Sequence, residues 1–139
     1  MKTTGTTELM VNIRPQYHFR KTKAGLDAWN VVRLIELSAE LPIEMINPAE
    51  VAELHENHWY SHDSVTPTPL SIIEHTQLIQ ACDLAYPIIL DQQGRVMDGM
   101  HRICKAIINK VVEIPAVRFL ADPAPDYQNC EPQDLPYDE

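Results

Sequence analysis

The stretch DGMHR, at residues 98–102 of this 139-residue chain, places residue types that can bind anions directly before an amphipathic segment. A helix start exposes backbone N–H groups without partners in the helix, and it carries about half a positive charge. Phosphate groups bind at such positions, and a glycine lets the backbone approach the ligand closely. The stretch therefore predicts a phosphate site formed by the backbone N–H groups of Gly99, Met100 and His101.

Basic side chains follow the glycine and would strengthen such a site. The guanidinium of Arg102 can bind two phosphate oxygens, and His101 adds a donor or, when protonated, a full charge. Lys105 lies one helical turn later and is expected on the same exposed side of the helix. The cofactor-binding residues predicted from the sequence are Gly99, Met100, His101, Arg102 and Lys105.

Asp98 does not fit a purely phosphate-binding role, because a carboxylate repels a phosphate. It can instead cap the helix, bind Mg²⁺, or act as a base toward a substrate hydroxyl. We predict Asp98 as the catalytic residue and metal ligand. A second carboxylate could come from Glu44, Asp63 or Asp91, and the sequence does not rank them. The alternative for the whole stretch is a cap and a turn that bind no ligand.

The segment HENHWYSHD contains residue types that bind zinc: His55, His58, His62 and Asp63. It lacks the two histidines four residues apart, with a glutamate between them, that mark helical zinc sites. We therefore expect these side chains to be solvated or to act as caps. Beside a nucleotide they would instead contribute to substrate specificity.

Three other ring side chains have two interpretations each. His75 falls on the apolar side of a predicted helix, and we expect it in the core rather than as a ligand. Trp29 is also expected in the core. Trp59, in a polar loop, is equally suited to the core and to stacking on a base.

Residues 69–119 must position the DGMHR stretch. PIIL, the turn DQQG and RVM predict a β-hairpin, and VEIPAVRFL predicts a last strand. A helix is predicted from about Pro69 to Leu84 and another from about Met100 to Asn109. The residues expected on their buried sides are Ile72, Leu78, Ile79 and Cys82 in the first, and Ile103, Cys104, Ile107 and Ile108 in the second.

The regions before and after are less regular. Short strands are predicted at Leu9–Ile13 and at residues 31–35, where Val31, Val32, Leu34 and Ile35 are apolar. Asn47 and Pro48 read as the cap and first position of a helix. The Pro-rich segment 121–139 either wraps the domain, anchored by Tyr127, Leu135 and Tyr137, or is a disordered end.

Composition excludes several classes of protein. The formal net charge of −9 argues against broad binding to a nucleic-acid backbone, which requires a basic face. The three cysteines form no Cys-x-x-Cys motif and are expected to be reduced thiols. Neither a signal-peptide core nor a run of about 20 apolar residues is found, so we expect a cytoplasmic protein without membrane partners.

The segment PIILDQQGRVMDGMHRICKAIINKVVEIPAVRF resembles the N-terminal domain of the ParB chromosome-partition proteins and their relatives, the sulfiredoxins and free serine kinases. In that superfamily a hairpin ends in a Gly-x-x-Arg turn at a helix start, and a final strand follows. The resemblance implies a ParB/sulfiredoxin-like α/β (α+β) fold, a small mixed β-sheet with packed helices. It covers residues 30–120, between an N-terminal extension (1–29) and the Pro-rich acidic tail (121–139).

The resemblance implies nucleotide phosphates at Gly99, His101 and Arg102. The nucleotide is ATP in sulfiredoxin and serine kinase and CTP in ParB, with Mg²⁺ supplied by the medium. Met100 stands where sulfiredoxins have their catalytic cysteine, so sulfiredoxin chemistry is not expected. Only residues 121–139 follow the last predicted strand, so we do not expect the helix-turn-helix DNA domain of ParB.

Three functions stay open. The leading hypothesis is nucleotide binding with phosphoryl transfer to a small hydroxyl substrate, a reaction that depends mostly on positioning and charge neutralisation. The second is a non-enzymatic module that responds to a nucleotide or binds a protein partner. The third is a DNA-associated role in partition or as a nuclease, against which the net charge argues. The expected partners are a nucleotide and a small molecule, and a homo-oligomer stays open.

Overall fold

Three α-helices and two small β-sheets make up residues 17–60 and 66–137, the part of the chain that the computed structural model describes. The helices are α1 (Val31–Ser38), α2 (Pro69–Ala81) and α3 (Met100–Ile108). The strands are β1 (Tyr17–Lys21), β2 (Leu26–Asn30), β3 (Glu44–Ile46), β4 (Ile88–Leu90), β5 (Val96–Asp98), β6 (Ile114–Arg118) and β7 (Tyr127–Cys130). This is an α+β architecture, and none of the described helices is long and apolar enough to cross a membrane.

The two sheets differ in the directions of their strands. One has the order β1-β2-β7 and is antiparallel throughout. The other has the order β3-β6-β4-β5 and is mixed, because β4 and β6 run parallel while the other neighbours run antiparallel. Parallel neighbours require a crossover connection, and here it passes through β5 and α3. The crossover is what places α3 against the mixed sheet.

The predicted hairpin of β4 and β5 is confirmed. β4 is buried along its whole length, as expected of a central strand. The Asp91 carboxylate accepts hydrogen bonds from the backbone N–H groups of Gln93 and Arg95, both at 2.9 Å. Gly94 provides the positive φ of 86° that the turn needs. The hairpin register places Asp98 opposite Ile89, at the end of β5 that enters α3.

Helix α3 begins at the predicted residue, but its buried face differs from the prediction. Ile103 is buried as expected, together with Met100 and Ala106, so every third residue faces the sheet. Cys104 is half-buried, whereas Ile107 and Ile108 are exposed and the prediction that they face inward is wrong. Ile107 and Ile108 are the last two residues of the helix.

The apolar run at residues 31–35 forms α1, so the prediction of a strand there is wrong. The Asn30 side chain accepts a hydrogen bond from the backbone N–H of Arg33 at 3.1 Å and caps the helix. Val31 and Leu34 are buried while Val32 is 61% exposed, which is helical rather than alternating burial. A capped helix therefore forms here, although the β-branched residues of this segment favour a strand.

Asn47 caps the following turn as predicted, but only a 3₁₀ turn forms, at Pro48–Glu50. The Asn47 side chain accepts from the N–H of Ala49 at 2.9 Å. A second 3₁₀ turn, Ala52–His55, follows an extended Val51. Within it the buried Glu53 accepts a hydrogen bond from the N–H of Val96 at 2.6 Å. This contact holds the segment against the edge strand β5.

Helix α2 begins at Pro69, as predicted, and ends at Ala81 rather than Leu84. Thr68 and Ser71 form a reciprocal capping box that fixes its start. Leu78 is buried, but Ile72 is exposed, and Ile79 and Cys82 are only half-buried. The prediction of the buried face is therefore right for Leu78 and wrong for Ile72, which lies in the first turn of α2 and is 54% exposed.

The tail wraps the domain up to Tyr137, the last described residue. β7 adds an edge strand to β2, and Leu135 is buried against Tyr17 and Ala28. Trp29 is in the core, as predicted, and its indole Nε1 donates to the carbonyl of Pro123 at 2.8 Å. The predicted strand at Leu9–Ile13 lies outside the described residues.

Candidate functional site

The start of α3 has the backbone geometry of a ligand-binding turn. Gly99 precedes the helix with φ 120° and ψ 15°, a left-handed conformation that favours glycine. The N-cap residue is a glycine, so it offers no side chain to accept a hydrogen bond from the first N–H groups of the helix. A Cβ on Gly99 would lie 2.5 Å from Cγ2 of Ile88. Packing against β4 therefore requires the glycine, and the uncapped N–H groups point to an anion.

Asp98 does not cap α3 but pairs with Arg102. The carboxylate Oδ2 of Asp98 accepts a hydrogen bond from Nη2 of Arg102 at 2.9 Å. Nη1 of Arg102 donates to the backbone carbonyl of Tyr86 at 3.2 Å. The Asp98 and Arg102 side chains are only 21% and 15% exposed, which limits screening of the pair by water. The guanidinium is thus held beside the helix start, and its other N–H groups can serve a ligand.

Lys105 contacts the end of α2. Its Nζ donates to the carbonyl of Gln80 at 3.1 Å and to that of Cys82 at 2.6 Å. Carbonyls at a helix C-terminus lack partners, and a cation there is favourable. These bonds tie α3 to α2. The binding of a phosphate by Lys105 stays a prediction. It would require the ammonium group to leave the carbonyls of Gln80 and Cys82.

Two histidines and a tryptophan form a stack beside the start of α3. Nδ1 of His75, on α2, lies 2.8 Å from Nε2 of His101, on α3. The Trp59 ring stacks on both imidazoles, with centroids 4.1 Å from His75 and 4.8 Å from His101. His75 was expected in the core but is half-buried, and its Nδ1 forms a hydrogen bond with His101. Burial lowers the pKa of His75, and the nearby His58 lowers it further.

The two candidate second carboxylates that the structure describes, Asp91 and Glu44, do not join Asp98. Asp91 is at the turn of the hairpin, opposite to the end where Asp98 lies, and its Oδ2 accepts from Arg20 at 2.9 Å. Glu44 is on β3, at the other edge of the mixed sheet from β5. Asp63 lies outside the described residues. With Asp91 and Glu44 elsewhere, neither of these two carboxylates supplies a second oxygen ligand for a magnesium ion at Asp98.

The predicted zinc-type cluster is only partly described. His55 is exposed and His58 is half-buried beside Trp59, while His62 and Asp63 lie outside the described residues. Across residues 17–60 and 66–137, no group of three or more His, Cys, Asp or Glu side chains could hold a metal ion. Of this segment, the structure brings Trp59 and His58, rather than His55, to the candidate site.

The cysteines near the site are not arranged as nucleophiles. Burial raises the pKa of the Cys104 thiol. Burial also raises the pKa of Cys82, although Lys105 and Arg102 act in the opposite direction. A raised thiol pKa leaves little thiolate near neutral pH. Together with Met100 at the turn, this disfavours thiol chemistry.

An open cleft of about 1810 Å³ runs along this face of the molecule. Residues of the site that border it are Trp59, His75, Tyr86, Gly99, His101 and Arg102. Single-ligand pockets are usually about 300–1,000 Å³, so the candidate site occupies only part of the cleft. The side chain of Tyr86 is exposed there, and the sequence did not single it out.

No family model, curated protein or solved structure matches this chain. The likeness to ParB and sulfiredoxin domains therefore stays a prediction from the residues. The site itself is described by its geometry: an uncapped helix start, a fixed guanidinium and a stacked histidine pair.

Proposed function

We propose that this chain is a nucleotide-binding domain of the ParB/sulfiredoxin-like type, with a phosphate of ATP or CTP bound at the N-terminus of α3. The observation that carries the proposal is the start of that helix. Gly99 is left-handed and has no side chain that could cap the first N–H groups, and Arg102 is fixed one turn away. The N–H groups that Gly99 cannot cap, the helix dipole and a guanidinium all favour a phosphate at this point.

The ion pair of Asp98 with Arg102 uses the guanidinium that a phosphate would bind. A phosphate that binds Arg102 competes with the Asp98 carboxylate for the same guanidinium. Displacement would free Asp98 for Mg²⁺ that arrives with the nucleotide, or for a substrate hydroxyl. Phosphoryl transfer to a small hydroxyl compound follows if Asp98 acts as the base.

A regulatory module without catalysis is the second candidate. It is supported by the position of the carboxylates, because neither Asp91 nor Glu44 lies beside Asp98. Phosphoryl-transfer sites generally hold their metal ions with more than one protein group. A domain that binds a nucleotide and changes a partner contact needs only the phosphate site.

Calorimetric titration of ATP, CTP and GTP, with and without Mg²⁺, tests the proposal. We expect the wild type to bind at least one of them at up to millimolar concentration. Arg102→Ala should weaken binding by about 2–4 kcal/mol, roughly 30-fold to 1,000-fold, because a charge-assisted contact is lost. Arg118→Ala is the matched control, because Arg118 is exposed on β6 and its loss removes the same charge.

The possible outcomes test nucleotide binding, the position of the site and turnover separately. If no nucleotide binds the wild type at millimolar concentration, the proposal fails. If Arg102→Ala is folded by circular dichroism and binds as well as Arg118→Ala, the site is misplaced. Release of nucleoside diphosphate in the presence of small hydroxyl compounds indicates a kinase, and binding without turnover indicates a module.

A further inference from the structure

The short strand β3 forms one edge of the mixed sheet. Among the strands that the structure describes, β6 is its one neighbour. An edge strand exposes backbone N–H and C=O groups along its open side, and a strand of another chain can pair with them. The open side of β3 is therefore a candidate site for an added strand, and its backbone groups, side chains and charge indicate which kind of strand would fit.

Pro115 of β6 determines which backbone groups of β3 face outward. In an antiparallel ladder, residue pairs that exchange N–H···O bonds alternate with pairs whose N–H and C=O groups point away from each other. Met45 lies opposite Pro115, which has no N–H, so these two residues cannot exchange bonds. The flanking residues Glu44 and Ile46 bond to β6 instead. The N–H and C=O of Met45 therefore face the open edge.

These backbone groups of Met45 have no competing partner within residues 17–60 and 66–137. Neither forms a hydrogen bond there, and Met45 is 54% exposed. Ile43 directly precedes β3 and is 62% exposed, and the alternation along the chain gives its backbone the same direction. Outward groups on every second residue are what the ladder of an added strand requires.

The side chains at this edge are divided between the two faces of the sheet. Met45 lies opposite Pro115, two residues before Val117 on β6, and Val117 belongs to the core cluster on the α1 side. Met45 and Ile43 therefore face that side, while Glu44 projects to the other side and is exposed. A matching strand has apolar side chains on the first face and an opposite charge beside Glu44.

The charge around β3 is negative. Glu36, Glu40 and Glu44 are exposed, and none of them forms an ion pair within the described part of the chain. Arg33 is the one Lys or Arg between residues 31 and 50, and its guanidinium is bound to Asp126 at 3.1 Å. A basic segment is therefore attracted to this edge, whereas a second copy of this chain, with its own net charge of −9, is repelled.

We propose that the open edge of β3 binds an extended segment of a partner protein, in which apolar residues alternate with lysine or arginine. The segment adds a strand beside β3, and its backbone pairs with that of Ile43 and Met45. Its apolar side chains contact those two residues, and its basic side chains lie beside Glu44. This site goes beyond nucleotide binding, and β3 lies at the opposite edge of the sheet from β5, which leads into α3.

A short synthetic peptide in which valine and lysine alternate tests the site. We expect it to bind the ¹⁵N-labelled full chain at up to millimolar concentration and to protect the amide of Met45 from hydrogen exchange, because that N–H gains an acceptor. Two control peptides should bind at least about 10-fold more weakly. One has glutamate in place of lysine, which reverses the charge, and the other has methylated backbone nitrogens, which removes the donors alone.

Two pairs of variants separate backbone pairing from charge. Met45→Pro removes the outward N–H, which β6 does not use, whereas Met45→Leu keeps it, so only the first should lose the peptide. Glu44→Lys should weaken binding at least about 3-fold. Glu131→Lys, the same charge change at an exposed residue directly after β7, should leave binding within about 2-fold. Circular dichroism checks that each variant is folded.

Several results overturn the proposal. The first is that the peptide does not bind the wild type at millimolar concentration, or that either control peptide binds equally well. The second is that folded Met45→Pro binds as Met45→Leu does, or Glu44→Lys as the wild type does. The third is that the amide of Met45 is protected without peptide, because another part of the chain or, in a dimer, a second copy then occupies the edge. None of these results bears on the titration of ATP, CTP and GTP.

Discussion

The carboxylate of Asp98 and the guanidinium of Arg102 are joined at 2.9 Å across one turn at the start of α3. Asp98 was predicted as the catalytic residue and metal ligand, and Arg102 as a phosphate-binding residue. Their side chains instead form an ion pair with each other. The pair fixes the direction of Arg102 and neutralises Asp98, so removing one partner should change how the other binds a phosphate.

Asp98→Asn should strengthen nucleotide binding. In the absence of Mg²⁺, which Asp98 would otherwise help to bind, the change removes only the competing carboxylate and its repulsion toward phosphate, and we expect about 5-fold to 10-fold tighter binding, close to 1 kcal/mol. The loss of the ion pair should lower the free energy of unfolding by about 1 kcal/mol. Calorimetry and urea unfolding measure the two effects, with Asp134→Asn as a control at an exposed aspartate. Weaker binding by Asp98→Asn would show that Asp98 contacts the ligand favourably.

Gly99→Ala should destabilise the fold more than Gly94→Ala. Both glycines have positive φ, but a Cβ at Gly99 meets Ile88 at 2.5 Å, whereas one at Gly94 has no atom within 4 Å. We expect a loss of about 3 kcal/mol or more at Gly99 and about 1–2 kcal/mol at Gly94, since only the first adds a clash to the backbone strain. Equal losses in urea unfolding would mean that Ile88 moves aside at little cost.

Lys105→Met should lower stability through the end of α2. The variant keeps most of the side-chain length but loses the ammonium that binds the carbonyls of Gln80 and Cys82. We expect a decrease of about 1 kcal/mol in the free energy of unfolding. Lys23→Met, at an exposed residue of the β1–β2 turn, is the control and should change stability little. A loss of the same size in both variants would contradict the capping role.

His75 should make the protein less stable as the pH falls. Burial holds its pKa in the folded state below the ordinary value of 6.5, so the unfolded chain binds a proton first. Stability is therefore complete above about pH 6.5 and declines as the pH falls through that value toward the folded pKa. Melting temperatures of His75→Phe should depend less on pH in this window than those of the wild type or His55→Phe. An unchanged slope would mean that His75 titrates alike in both states.

The sequence predicts best the segment whose signals are local. The hairpin of β4 and β5 and the start of α3 follow from a buried apolar run, a glycine turn and Gly99, all within twenty residues of one another. At α1 the local signals conflict, because β-branched residues favour a strand while Asn30 caps a helix, and the cap prevailed.

The site depends on contacts between distant segments, and those are what the sequence could not supply. Trp59, His75 and His101 come from a loop and two helices, and nothing in their spacing shows that they stack. β7 likewise depends on antiparallel pairing with β2, which lies about a hundred residues earlier in the chain. The pairing of Asp98 with Arg102 does not follow from helical spacing either, because Asp98 is the last residue of β5 and the left-handed Gly99 separates it from α3.

Amide chemical-shift mapping with ATP tests the central claim most directly. On addition of ATP to the ¹⁵N-labelled wild type, the amides of Gly99, Met100 and His101 should show the largest shifts, because bound phosphate oxygens would accept hydrogen bonds from them. Shifts that are largest elsewhere in the chain, or absent at millimolar ATP, would contradict a phosphate site at the start of α3.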